Sequence, residues 1–227
     1  MVANNFLAEL PCYIIVIKGN EGSEYYADIV TPLWNQCGIY PVRFDAITPA
    51  DIPHFIETYD IRYGCREDNR IEATETERAS TLSHYQLWKK SAADSKRFLI
   101  LEHDSYPDNP PLYDDVVYDL YSFAPGTAAY VIDPEYAGYL AHQVIEREIV
   151  RGGTTGLIHH FSKPPWFVKS NFTDPGFAFG ARQLISRKYG STSTHSGLYE
   201  TTLTFNSDGS TNTTGTRDID KVFKVID

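Results

Sequence analysis

In the run Arg97-Phe98-Leu99-Ile100-Leu101-Glu102-His103-Asp104, four apolar residues stop abruptly at two acids separated by one position. Phe98–Leu101 has the length and composition of a buried strand. Side chains alternate along a strand, so this reading sends Glu102 and Asp104 to one side and His103 to the other. Two carboxylates at the mouth of a buried strand repel each other and are costly to desolvate. A cation or polar ligand between them offsets that cost. The carboxyl ends of strands in open α/β sheets are where ligands bind. The plain alternative is a strand running out into a solvated acidic turn, which Pro107-Asp108-Asn109-Pro110-Pro111 would suit.

Strand–helix–strand order surrounds this run. Cys12–Ile17 is a compact β-branched run and reads as a first strand. Ser23 is placed to cap a helix through about Cys37, with Gly38 as its stop and Pro32 as a kink or break. Tyr40–Phe44 is a second strand ending in Asp45. Thr48–Ala73 has no clean period, and only Pro53–Tyr59 reads as a short helix. Thr74–Ala93 carries the strongest helix signal: Thr74-x-x-Glu77 has the form of a capping box, and Glu77, Thr81, His84 and Trp88 share one face. Short connections of this kind predict a mostly parallel α/β sheet with crossover helices.

Beyond the acidic run, Tyr113–Phe123 reads as a helix or mixed segment and Ala128–Ile132 as a strand. Asp133-Pro134 opens a helix to about Val150, closed by Gly152-Gly153. From Thr154 to Gly190 only Gly180–Lys188 reads as helix, and His159-His160 read as loop residues. Ser191–Gly215 is rich in Ser, Thr and Gly, and a hairpin or extended tail is expected there. The expected organisation is one domain over residues 1–190 with a C-terminal extension over 191–227 packed on it.

The chain has 227 residues and is 42% hydrophobic, enough for one sizeable core. Its net charge of −10 opposes binding to nucleic acid or to an anionic membrane surface. The three cysteines, Cys12, Cys37 and Cys65, form no CxxC, so neither a disulfide framework nor a zinc site is indicated. No hydrophobic run approaches the ~20 residues that span a bilayer. The first residues lack a signal-peptide pattern, and a soluble cytoplasmic protein is expected.

Four features in register resemble glycosyltransferase family 25, the lipooligosaccharide galactosyltransferase-like enzymes. They are the apolar strand Tyr13–Ile17 with Gly38-Ile39 leading to Arg43-Phe44-Asp45-Ala46; Glu77-x-x-Ser80-x-x-Ser83-His84-x-x-Leu87-Trp88; the Phe98–Asp104 run; and Gly126–Ile132 followed by Ala137 and Leu140. The likeness covers roughly residues 12–145. It departs from the family at His103, where an acid is usual, at Ala79-Ser80, where Gly-Cys is usual, and after the first strand, where Lys18 is the only cation.

The resemblance implies a GT-A-like, Rossmann-like fold and a metal-dependent, inverting transfer of a sugar such as galactose. The donor would be a nucleotide sugar, a UDP-sugar foremost, and the acceptor a hydroxyl of a glycan or protein. It implies Mn2+ or Mg2+ on Asp104 and Glu102, with Lys18, Glu77, Ser83, His84 and Glu102 around the donor. A hard cation on carboxylate oxygens suits a leaving diphosphate. Inversion needs a general base, and Asp133, Asp174 and Glu148 are candidates among which the sequence does not choose. Three residues of the α-helical stretch also have a structural reading: His84 as a core histidine, Glu77 as a capping carboxylate, Trp88 as packing. Two other functions compete: a non-catalytic binding or assembly protein on a degenerate transferase fold, and a metal-dependent phosphohydrolase using the same carboxylates.

Overall fold

The computed structural model describes residues 6–59, 75–108, 118–124, 126–146, 153–169, 181–183, 202–205 and 211–214. The chain divides into two units, Met1–Gln183 and Leu184–Asp227. The first holds β1 (Cys12–Val16), α1 (Glu21–Gln36), β2 (Val42–Asp45), α2 (Ile52–Tyr59), α3 (Glu75–Asp94), β3 (Phe98–Glu102), β4 (Ser105–Pro107), β5 (Leu120–Ser122), β6 (Ala129–Ile132), α4 (Pro134–Glu146), α5 (Gly153–Phe161), β7 (Val168–Lys169) and β8 (Ala181–Gln183). In the second, β9 (Thr202–Phe205) and β10 (Thr211–Thr214) pair antiparallel, as the hairpin reading expected.

Six strands form one sheet in the order β2-β1-β3-β6-β5-β7. β1 pairs in parallel with both β2 and β3, and β5 with β7. β6 runs antiparallel to β3 and to β5. The class is therefore α/β with a mostly parallel sheet and flanking helices, the layout expected of a GT-A-like domain. The reversed strand was not foreseen, because a fully buried run such as Ala129–Ile132 reads the same in either direction.

Alternation along the strands divides the core. Phe98, Ile100, Tyr130, Ile132, Leu120 and Ile15 share one cluster with Leu82, Tyr85 and Trp88 of α3, Leu140 and Val144 of α4, and Leu157 of α5. Leu99, Leu101 and Val131 occupy the alternate positions and are equally buried. On that side Trp34 of α1 lies edge-on to Phe123, with ring centroids 6.3 Å apart. By the same alternation Glu102 follows Phe98 and Ile100 onto the α3 face.

Several ends differ from the sequence reading for local reasons. The N-cap of α1 is Asn20, whose side chain accepts from the Ser23 amide. Ser23 lies inside the helix, and its hydroxyl accepts from the Ile17 amide at 2.9 Å. Pro32 does not split α1. Its missing amide would have served Asp28, which is exposed and can turn its carbonyl to water. The C-terminus is a Schellman motif: Gly38 N–H bonds Asn35 O, Ile39 N–H bonds Trp34 O, and Gly38 sits at φ +77°. Gly38→Ala is expected to cost about 1–2 kcal/mol, because an added Cβ is disfavoured in that conformation; urea unfolding of the two proteins checks it.

The remaining corrections fall in the later part of the first unit. Residues 120–122, read as helix or mixed, are strand β5. Gly153 starts α5 where the sequence suggested a stop, and His159 and His160 fall in the last turn of that helix. Residues 181–183, read as helix, are strand β8, paired antiparallel to β4. Thr74, the loop at 60–73, residues 113–117 and 184–188, and the expected end of α4 near Val150 lie outside the described residues. No helix among the described residues is long and apolar enough to cross a membrane.

Candidate functional site

β1 connects through α1 to β2 on one side, while β3 lies on its other side. The strand order therefore reverses between β1 and β3, and the crevice beyond their carboxyl ends is the position where open α/β sheets bind ligands. The register pairs Ile15 with Glu102, and Val16 with Asp45. Lys18, Asp45 and Glu102 thus leave the sheet at the same edge.

Lys18 is exposed, and its amine lies 3.3 Å from Asp45 Oδ2. The loop carrying it is wired to α1, with Gly19 N–H donating to Glu24 Oε1 at 2.8 Å. Ser83, buried on α3, donates to Ala79 O and accepts from the Ile47 amide at 2.8 Å. It therefore ties the loop after β2 to the helix. Glu77 stands in the first turn of α3, where a carboxylate suits the helix dipole, and its carbonyl accepts from Thr81.

The acidic run itself breaks at Glu102. The strand ends there, and His103-Asp104 form a turn into β4. Strand alternation therefore does not reach Asp104, contrary to the sequence reading. Asp104 is 3% exposed. His103 lies beside the Tyr26 ring of α1, with centroids 6.4 Å apart. Just beyond, the Trp34 indole donates to Ser105 O at 2.8 Å in a buried setting. That bond fixes the chain where it leaves the acidic turn.

Glu102 is embedded in a polar group. Thr127 Oγ1 donates to its Oε1 at 3.1 Å, and His84 Nε2 lies 3.8 Å from the same oxygen. His84 Nδ1 lies 2.8 Å from the Tyr130 hydroxyl, which also accepts from Trp88 Nε1–H at 2.9 Å. Burial pushes the Tyr130 phenol well above its usual pKa; the Trp88 hydrogen bond opposes this and the charge of Glu102 adds to it. His84 and Trp88 are 1% and 0% exposed, so both sit within the core. Thr127 and Tyr130 were not singled out as site residues from sequence. The β5–β6 hairpin carries them to Glu102, and only knowledge of its antiparallel pairing with β3 could have found them.

Gly126 prepares the tip of that hairpin. It sits at φ +64°, its carbonyl accepts from Ser122, and a Cβ there would meet Thr155 Oγ1 at 3.1 Å. Gly126→Ala is expected to cost about 1–2 kcal/mol from the backbone term alone. Thermal unfolding checks the cost.

Asp133 is not brought to this site. Its residue lies next to Ile132, which pairs with Phe98 at the far end of β3, whereas Glu102 ends the near one. Asp133 caps α4 through Glu135 N–H, and its Oδ2 pairs with Arg97 Nε and Nη2, both at 3.1 Å. Asp133→Ala should cost about 2 kcal/mol through loss of the cap and a charged hydrogen bond, and leave nucleotide binding unchanged by calorimetry. Asp174 and Glu148 lie outside the described residues.

No family model and no curated protein matches the sequence. Among solved structures, the fold is similar to that of a glycosyltransferase involved in the glycosylation of the major capsid of PBCV-1. The two are 11% identical over 79% of this chain and 94% of that one, with a TM-score of 0.45.

Among the described residues no three His, Cys, Asp or Glu side chains come together in a way that could hold a metal ion. Glu102 and Asp104 nevertheless fit a hard cation by donor type. Magnesium sites are commonly built from one or two carboxylates, with substrate phosphate and water completing the shell.

Proposed function

We propose that the chain transfers a sugar from a nucleotide-sugar donor, a UDP-sugar foremost, to a hydroxyl of a glycan or protein. The observation that carries this reading is the position of Glu102-His103-Asp104 at the carboxyl end of β3, beside β1, where the strand order reverses. Lys18 follows β1 at the same edge of the sheet, and His84 approaches Glu102 from α3 at 3.8 Å. Asp104 and Glu102 would hold a divalent cation, Mn2+ or Mg2+. Bound there, the cation would neutralise charge that builds on the diphosphate as the sugar leaves. The chain's own residues would orient the donor: Thr127 holds Glu102 by a hydrogen bond, and Trp34 holds the backbone beyond Asp104.

Melting curves with Mn2+ and a panel of uridine and guanosine diphosphates test it. Ligand at 100 times its Kd should add about 2.7 kcal/mol of stability. Unchanged curves with every nucleotide would overturn the reading. Incubation with nucleotide sugars then separates the classes: glycosylated product supports transfer, while free sugar phosphate would indicate a phosphohydrolase. A binding protein on a degenerate transferase fold is favoured by one observation, the engagement of Glu102 by Thr127. It predicts partner binding without metal and no turnover of donor.

A further inference from the structure

We infer that Tyr130 fixes the tautomer of His84, so that the imidazole presents its N–H to Glu102 and acts as a positioning residue for that carboxylate. An indole N–H can only donate, so the Trp88 contact makes the Tyr130 oxygen an acceptor. The phenol is fully buried, and its own proton also needs an acceptor. His84 Nδ1, 2.8 Å away, supplies it. A neutral imidazole that accepts at Nδ1 carries its proton on Nε2. Nε2 is the atom 3.8 Å from Glu102 Oε1. That separation is longer than a hydrogen bond but close enough for the N–H dipole to act on the carboxylate charge. Thr127 already donates to the same oxygen at 3.1 Å. Glu102 Oε1 is thus approached by a donor from the β5–β6 hairpin and a donor from α3, and the direction of the carboxylate is set from two elements. Trp88 and Tyr130 have no contact with a donor in this scheme; they act through His84.

The consequence for ligand binding rests on the proposed function, but the tautomer does not. Nitrogen-15 spectra of the histidine-labelled full chain, with His84 assigned by its loss in His84→Gln, should show the Nε2–H form. Tyr130→Phe should move His84 toward the Nδ1–H form. A wild-type ring protonated at Nδ1, or a tautomer indifferent to Tyr130→Phe, overturns the inference. Two His84 variants give an independent measure, with UDP plus Mn2+ as the probe. His84→Gln places an amide N–H near the Nε2 position and should retain binding. His84→Asn cannot reach Glu102 and should weaken it by about 10–100-fold, as loss of an outer hydrogen-bond partner commonly does. Equal binding by the two overturns the positioning role. If the wild-type chain binds no nucleotide, the functional reading falls, while the spectra still decide the tautomer.

Discussion

Replacing Asp104 by Asn is expected to abolish the rise in melting temperature that the proposed function predicts for Mn2+ plus a nucleoside diphosphate, with the ligand-free melting curve little changed. Asn keeps the size and shape of the side chain and removes its charge, so the turn after β3 has no steric reason to rearrange. A cation held by two carboxylates and phosphate loses one of its two anionic protein ligands. Where a charge stabiliser of this type is removed, rates typically fall by ~10²–10³, and transfer from the nucleotide sugar should fall by that order. Melting curves with and without ligand and a single-turnover transfer assay measure the two effects. A variant that still responds to Mn2+ and nucleotide as the parent does would show that the acid pair is not the cation site.

Trp34→Ala should give the largest loss of stability among the changes considered. The side chain is fully buried on the α1 side of the sheet. Removing a core tryptophan costs about 3–5 kcal/mol, which guanidinium unfolding would register as a lower midpoint. Trp34→Phe separates packing from hydrogen bonding. It keeps most of the apolar contact with Phe123 but leaves the Ser105 carbonyl buried without its indole donor. An unsatisfied buried group costs about 1–3 kcal/mol. Since Ser105 directly follows Asp104, Trp34→Phe should also weaken nucleotide binding.

The elements that were legible in the sequence are those in which one local rule dominates. Phe98–Leu101 is apolar and uninterrupted, Pro134 sits at the first helical position behind Asp133, and Gly38 follows the last turn of α1. Each appears in the structure where the rule puts it. What failed was decided by non-local pairing. Leu120–Ser122 and Ala181–Gln183 are too short to show a period, and each becomes a strand because a neighbour offers an edge. Gly153 is permissive enough to start a helix as well as end one.

The candidate site divides along the same line. Glu102 and His84 were visible from motif and helix spacing, and the structure places them 3.8 Å apart. Alternation was carried past the last residue of the strand, so it does not set how Asp104 stands to Glu102. Thr127 and Tyr130 belong to the site through a strand direction that side-chain chemistry does not encode. Asp133 looked like an available base, yet Arg97 and the α4 cap already occupy it.

The reversal of β6 bears on how such a molecule changes its preferences. In an all-parallel α/β sheet, the segments that follow strands surround the ligand, and those that precede strands sit on the opposite rim. Here the stretch leading into β6 also arrives at the rim that holds the carboxyl ends of β1 and β3. Lengthening or shortening that approach would reshape the mouth of the crevice without disturbing any crossover helix, which gives specificity a second place from which to drift.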